Sequence, residues 1–163
     1  MFYQGCLSHT KQCPSRNSMT VPRYPPTSER SPRRVVLLVE DEPFVREATS
    51  QILKSAGFDV LPAADAQEAM KVYEHNKCKI DLLMTDMALP GRNGRQLAHD
   101  LRAASAEIPI LLTSGYVELE WDDEAREPGT YFLPKPYSRA ELVDMMEKIL
   151  SKVLARPTAA NAS

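Results

Sequence analysis

Five short apolar runs lie along the chain, and each is bounded by polar or turn-forming residues. Runs of this length are typical of strands that are buried on both faces of a sheet. The first run is followed by Glu40 and Asp41, and the third is followed by Asp86. The predicted strands span residues 35–39, 58–61, 80–85, 109–113 and 131–133.

Amphipathic stretches separate these runs and predict helices. Pro43 suits the first turn of a helix, and Gly57 suits the position just beyond a helix end. A helix between these two residues would present one apolar face to the core. We expect that face to carry Phe44, Val45, Ala48, Ile52 and Leu53.

Two further helices are marked by capping signals. Asp65 with Glu68, and Ser138 with Glu141, have the spacing of a capping box. They predict helices that run to about residues 76 and 153. The remaining predicted helices cover residues 94–103 and 117–126, the second short and irregular because it is rich in acids.

Strands that alternate with helices predict an α/β domain with a parallel sheet, because parallel strands need a crossover connection. Right-handed crossovers bring the ends of the strands to one edge, which is where open α/β sheets bind ligands. The residues that this argument places at that edge are Glu40, Asp41, Asp86, Ser114 and Lys135.

The charge is unevenly distributed along the chain. Residues 1–34 contain six Lys or Arg, one acid and five prolines, which predicts a disordered, basic linker. The other residues include fourteen basic and twenty-one acidic side chains, a net charge of −7 that disfavours a nucleic-acid surface. We therefore expect a tail at 1–34, a folded domain at 35–154 and a frayed tail at 155–163.

No apolar run has the length needed to span a bilayer, and the first residues lack the apolar core of a signal peptide. The three cysteines, Cys6, Cys13 and Cys78, are odd in number and lack the spacing of metal ligands. Reduced thiols are the simplest interpretation. We expect a cytoplasmic protein that does not contact a membrane.

Three converging carboxylates would repel one another, so they would take up protons or attract a cation. An incomplete set of oxygen ligands suits Mg²⁺, which keeps several waters. Asp86 could accept a phosphoryl group, with Lys135 and Ser114 available to its oxygens. Taken alone, each residue has a structural explanation, such as a helix N-terminus for Glu40 and Asp41. The combination favours phosphoryl chemistry.

Four ordered segments resemble the signatures of a known family. They are VVLLVEDE at 35–42, LMTDMALPGRNG at 83–94, PILLTSGY at 109–116 and FLPKPY at 132–137. In this order and at this spacing they resemble response regulator receiver domains over about residues 33–153. The resemblance implies a flavodoxin-like (βα)5 doubly wound parallel sheet with the strand order 2-1-3-4-5.

The resemblance also implies a phosphoacceptor and a metal site. Asp86 would accept a phosphoryl group from a histidine kinase or a histidine phosphotransfer protein. Mg²⁺ would be bound by Asp41, by Asp86 and by the main-chain carbonyl of Ala88, with Glu40 assisting through water. Lys135 would pair with the phosphoryl group.

Ser114 and Phe132 match the switch residues of the family. Ser114 would move to hydrogen-bond the phosphoryl group, and Phe132 would then turn inward, which changes the binding surface near strands four and five. A cis bond is implied between Lys135 and Pro136. The chain would be a stand-alone regulator or the receiver of a hybrid sensor kinase. It could form a phosphorylation-dependent homodimer. It would catalyse nothing beyond its own phosphorylation and dephosphorylation.

Two other classes stay open at the level of sequence. A flavodoxin-like module that binds a flavin or nucleotide would want phosphate-binding loops, but the loop after the first strand is acidic. An aspartate-dependent phosphatase would usually place a second acid two residues after its nucleophile, and Ala88 stands there. A receiver that had lost its chemistry would lack Asp86, Asp41 or Lys135.

Overall fold

Nine elements make up the part of the chain that the computed structural model describes, which comprises residues 33–77, 79–105, 107–115 and 127–154. The strands are β1 (Val35–Val39), β2 (Asp59–Ala63), β3 (Ile80–Asp86), β4 (Ile110–Ser114) and β5 (Thr130–Pro134). The helices are α1 (Pro43–Ser55), α2 (Ala66–Asn76), α3 (Gly94–Ala104) and α4 (Arg139–Leu154). The predicted tails, apart from residues 33 and 34, and the helix predicted at 117–126 lie outside these residues.

The five strands form one parallel sheet in the order β2-β1-β3-β4-β5, so the predicted order is confirmed. The second strand runs two residues further than the sequence indicated, because Ala63 pairs with Val39 at the end of β1. Pro62 is tolerated within β2 because this strand lies at the edge of the sheet, where a missing N–H costs no ladder bond.

Alternate residues of the central strands face opposite sides of the sheet, so there are two apolar cores. Leu37 of β1 packs with α2 and α3 on one side, whereas Val36 packs with α1 and α4 on the other. In β4, Leu112 and Leu111 divide between the two cores in the same way. Burial on both faces explains why these strands are apolar without alternation.

The prediction for the buried face of α1 is right for Leu53 and for Ile52, which is partly buried against the core, and wrong for its other three residues. Phe44 is 83% exposed, and Val45 and Ala48 are also exposed, whereas Thr49 and Ser50 are buried together with Leu53. These last three residues lie on one face at helical spacing. The helix therefore turns a stripe with two hydroxyl residues towards the sheet and leaves much of its apolar stripe in solvent.

The predicted helix caps are present. The Asp65 carboxylate accepts a hydrogen bond from the N–H of Glu68 at 2.8 Å, and Ser138 and Glu141 bond each other's main-chain N–H at 3.2 and 2.7 Å. These bonds hold the pKa of Glu141 below its usual value. None of the helices among the described residues has the length and apolar character needed to cross a bilayer.

Candidate functional site

The register of the sheet brings the acids together. Val39 of β1 is paired with Thr85 of β3, so the next residues, Glu40 and Asp86, emerge side by side at the carboxyl edge. Asp86 is in turn paired with Thr113 of β4. Ser114 follows Thr113 at the end of that strand, where it is buried.

Three carboxylates converge at this edge. One carboxylate oxygen from each of Glu40, Asp41 and Asp86 lies within 4.8 Å of the others. Glu40 and Asp86 are 5% and 8% exposed, whereas Asp41 lies on the exposed side of the cluster. A cluster with two buried members and one open side can admit a cation from solvent.

Lys135 offsets part of the negative charge of the buried pair, Glu40 and Asp86. Its loop follows β5, two strands away from Asp86, and its ammonium Nζ donates to Glu40 Oε2 at 2.7 Å and to Asp86 Oδ2. Burial alone would lower the pKa of Lys135, but the hydrogen bonds to Asp86 and Glu40 outweigh it and leave this pKa above its usual value. The lysine is therefore charged at neutral pH.

The main chain orients the Asp86 carboxylate from the other side. The N–H of Ala88 donates to Asp86 Oδ1 at 2.9 Å, and the N–H of Met87 donates to the carbonyl of Thr113 at 2.8 Å. Each carboxylate oxygen of Asp86 therefore has its own donor, Ala88 on Oδ1 and Lys135 on Oδ2.

Gly94 packs directly against the Asp86 main chain. A Cβ atom at this position would lie 2.1 Å from the Asp86 carbonyl oxygen, far inside any contact that carbon makes with oxygen. Asn93 and Gln96 form a reciprocal capping box there, with bonds of 2.9 and 3.2 Å. The first turn of α3 thus fixes the backbone that carries Asp86.

The switch residues predicted from the resemblance lie on the two adjoining strands. Ser114 accepts a hydrogen bond at its carbonyl from the N–H of Lys135 at 2.8 Å, which ties the ends of β4 and β5 together. Phe132 is partly buried against the core that holds α2 and α3. The bond between Lys135 and Pro136 is cis, as the resemblance implied.

Tyr137 closes the site on the side of α1. Burial raises the pKa of Tyr137, although the buried Thr49 hydroxyl and the charge of Lys135 act in the opposite direction. The phenol therefore stays protonated at neutral pH.

Among the residues that shape this site, Gly94 and Arg46 could not be recognised from the sequence pattern. Gly94 stood in a recognised segment, but nothing in its spacing showed how near Asp86 would lie. No feature of the sequence pattern pointed to Arg46. Its guanidinium Nη1 donates to the main-chain carbonyls of Glu40 at 2.6 Å and Asp41 at 3.1 Å.

The donor set fits Mg²⁺. Carboxylate oxygens are the hard ligands that this ion prefers, and three of them share a space no wider than 4.8 Å. The cluster would be electrostatically costly without a counter-charge beyond Lys135, since three acids face one ammonium.

Residues 36–147 match the family model of the response regulator receiver domain. The chain belongs to the receiver domain family. It is therefore a receiver domain of two-component signalling, and the question left open between a receiver, a flavin-binding module and a phosphatase is answered at the level of the family.

Relatives include both kinase and regulator proteins. The chain is 33% identical over 118 residues to the sensor kinase CckA of Brucella abortus, covering 72% of this chain and 12% of that protein. It is 31% identical over 123 residues to the transcriptional regulatory protein PdtaR of Mycobacterium tuberculosis, covering 74% and 58%. This receiver thus spans only part of the length of these relatives.

Two solved structures of receiver domains are similar to this chain. The crystal structure of the receiver domain from the hybrid histidine kinase CckA has a TM-score of 0.63 and is 35% identical, covering 71% of this chain and 98% of that one. A receiver domain from Clostridium thermocellum, 20% identical with a TM-score of 0.69 over 75% and 98% of the two chains, shares the fold.

Proposed function

We propose that Asp86 is the phosphoacceptor and that it takes a phosphoryl group from a phosphohistidine of a histidine kinase or histidine phosphotransfer protein. The observation that carries the proposal is the pair of donors on the Asp86 carboxylate, inside a cluster that contains two further acids. Held from both oxygens, this side chain has the fixed orientation that a nucleophile needs.

In the proposed step, a carboxylate oxygen of Asp86 forms a bond to phosphorus while the bond between phosphorus and the imidazole nitrogen breaks. The leaving histidine keeps the electron pair of that bond and is protonated. Mg²⁺ bound by Asp41, Asp86 and the Ala88 carbonyl, with Glu40 assisting through water, would supply positive charge to the transferring oxygens.

Lys135 has the most direct role in charge balance. The phosphoryl group adds about −1.5 to −2 charges and three strong acceptors at a point where Lys135 already donates to Asp86. Its ammonium can follow the new oxygens without leaving the site. Because the N–H of Lys135 is bonded to the carbonyl of Ser114, a shift of either loop is transmitted to the other.

The output we propose is a change of the surface near β4 and β5. Ser114 would turn its hydroxyl towards the phosphoryl group, and Phe132 would complete its burial in the space that this movement leaves. Two packed arrangements of these side chains would then have different affinities for a partner. A phosphorylation-dependent homodimer is one such output.

The domain would act as a signalling switch that catalyses only its own phosphorylation and dephosphorylation. We place it in the cytoplasm, an inference that rests on the interpretation of its cysteines as reduced thiols. Similarity to the CckA receiver favours origin in a hybrid kinase over a stand-alone regulator.

The test is Mg²⁺-dependent labelling with acetyl phosphate, comparing wild type with Asp86→Asn. Wild type should incorporate phosphate with Mg²⁺ and not with a chelator, and Asp86→Asn should incorporate none. Asp144→Asn is the matched control, because this aspartate is exposed on α4. Phosphate incorporation by Asp86→Asn would show that another residue is the acceptor. Labelling of wild type in chelator would show that Mg²⁺ is not required.

A further inference from the structure

We infer that Arg46 is a positioning residue for magnesium binding, which it supports by fixing the main chain that carries Asp41. This inference rests on the proposed function, because it assigns a role at the same site. The guanidinium of Arg46 bonds main-chain carbonyls of the loop and not the carboxylates that would bind the ion.

The geometry of the contact is specific. A single guanidinium nitrogen, Nη1, donates to the carbonyls of two consecutive residues, Glu40 at 2.6 Å and Asp41 at 3.1 Å. Two successive carbonyls can meet one donor only when they turn towards the same side. The contact therefore constrains the torsion angles of Asp41, and these angles set the direction of its side chain.

Asp41 needs this constraint more than its neighbours do. The carboxylate of Glu40 is bonded to Lys135, and that of Asp86 is bonded to Lys135 and to the N–H of Ala88. Within the described residues, no hydrogen bond to the Asp41 carboxylate is found. Its main chain is what holds it in the cluster, and Arg46 bonds that main chain.

The placement of a cation here is otherwise unfavourable. Arg46 lies in the first turns of α1, where the helix dipole favours negative charge. Its guanidinium folds back past the helix start to reach the loop carbonyls, which are partial negative charges. The loop contact explains why an arginine is accommodated at this end of the helix.

Charge and positioning predict opposite results for the removal of Arg46. If the guanidinium acted only through its charge, its loss would remove a repulsive cation from the metal site, and Mg²⁺ would bind more tightly. If it acts by holding the loop, its loss frees Asp41 and Mg²⁺ binds more weakly. The direction of the change therefore separates the two roles.

The experiment is calorimetric titration of Mg²⁺ into the phosphate-free full chain for wild type, Arg46→Ala and Arg46→Lys. We expect Arg46→Ala to weaken binding about tenfold, the lower end of the effect of residues that orient metal ligands. Arg46→Lys keeps the charge, but its nitrogen lies one bond nearer the main chain than Nη1 and reaches the two carbonyls less well, so its affinity should fall between those of wild type and Arg46→Ala. The rate of labelling by acetyl phosphate at saturating Mg²⁺ should change much less than the affinity.

Lys54→Ala is the matched control, since it removes one positive charge from the exposed side of the same helix. Unchanged or tighter Mg²⁺ binding by Arg46→Ala would overturn the inference. If Arg46→Ala does not fold, wild-type affinity in Arg46→Lys overturns it and weakened affinity supports it. Asp41→Asn distinguishes failure of the proposed metal site from failure of the role of Arg46. If Asp41→Asn binds Mg²⁺ as tightly as wild type, the proposed metal site is wrong. If Asp41→Asn binds Mg²⁺ more weakly but the Arg46 variants do not, only the role of Arg46 is rejected.

Discussion

The acid cluster should make the metal-free domain less stable than it could be, so Asp41→Asn should stabilise it in a chelator. The Asp41 carboxylate lies within 4.8 Å of those of both Glu40 and Asp86. Two unit charges at that separation repel by about 0.9 kcal/mol in water and about 3.5 kcal/mol at an effective dielectric constant of 20.

The lower value is the better guide for Asp41, because its exposed side chain is screened by solvent and Lys135 offsets part of the repulsion. Two contacts of this kind give an expected gain of about 1–2 kcal/mol. In Mg²⁺, wild type should instead be more stable than Asp41→Asn. An ion present at one hundred times its dissociation constant stabilises the folded state by about 2.7 kcal/mol. Asp41→Asn lacks one of the carboxylates proposed to bind Mg²⁺, so it should gain less of this stabilisation.

The assay is urea unfolding in chelator and in Mg²⁺. For an m value of about 1–3 kcal/mol/M, the expected gain raises the urea midpoint by roughly 0.3–2 M. Glu42→Gln is the control, because Glu42 is exposed beside Asp41 but lies outside the cluster. The reasoning fails if Asp41→Asn is no more stable than wild type in chelator, or if Mg²⁺ stabilises both proteins equally.

Three further predictions follow from individual contacts. Gly94→Ala should cost about 1–3 kcal/mol of unfolding free energy and slow labelling by acetyl phosphate, because its Cβ would overlap a main-chain oxygen. Gly115→Ala is the control: no atom of the described residues lies within 4 Å of the added carbon, so this variant should lie within about 0.5 kcal/mol of wild type. Equal urea midpoints for the two variants would contradict this prediction. The pKa values of Lys135 and Tyr137 lie above their usual 10.5 and 10.0, so the folded state binds these protons more tightly. Their contribution to stability is complete below about pH 10 and is lost as pH rises through the folded-state pKa values, and a flat alkaline stability profile would count against it. Phe44→Ser should change the unfolding free energy by less than about 0.5 kcal/mol, because this side chain is 83% exposed, and a loss typical of a core residue would show that the face is covered.

The sequence by itself determined the order of the strands and helices that the structure describes and the edge at which the site lies. Strands buried on both faces must be apolar throughout, so Val36 and Leu37 could be placed in a central strand without knowing which core each would enter. The position of Asp86 at the end of such a strand followed from the abrupt end of the apolar run. The capping pairs were equally local, since Ser138 and Glu141 bond each other within one turn.

Only the tertiary structure decided how α1 is rotated. The apolar residues Phe44 and Val45 define one face, but the helix buries the face of Thr49 and Ser50. Arg46 lies three and four residues before these two, on the same side of the helix, and reaches the loop carbonyls from there. Helical periodicity gives the faces of a helix, whereas contacts with other segments decide which face turns inward.

The closest contacts of the site were likewise beyond the sequence. The distance between Gly94 and the Asp86 carbonyl depends on how α3 returns to the sheet, and the reach of Lys135 to Glu40 depends on the register of strands that are far apart in the chain. Residue types and spacing identify which groups can carry the chemistry. Their mutual distances arise only when the packing of the whole sheet fixes them, because each group is brought in by a different loop.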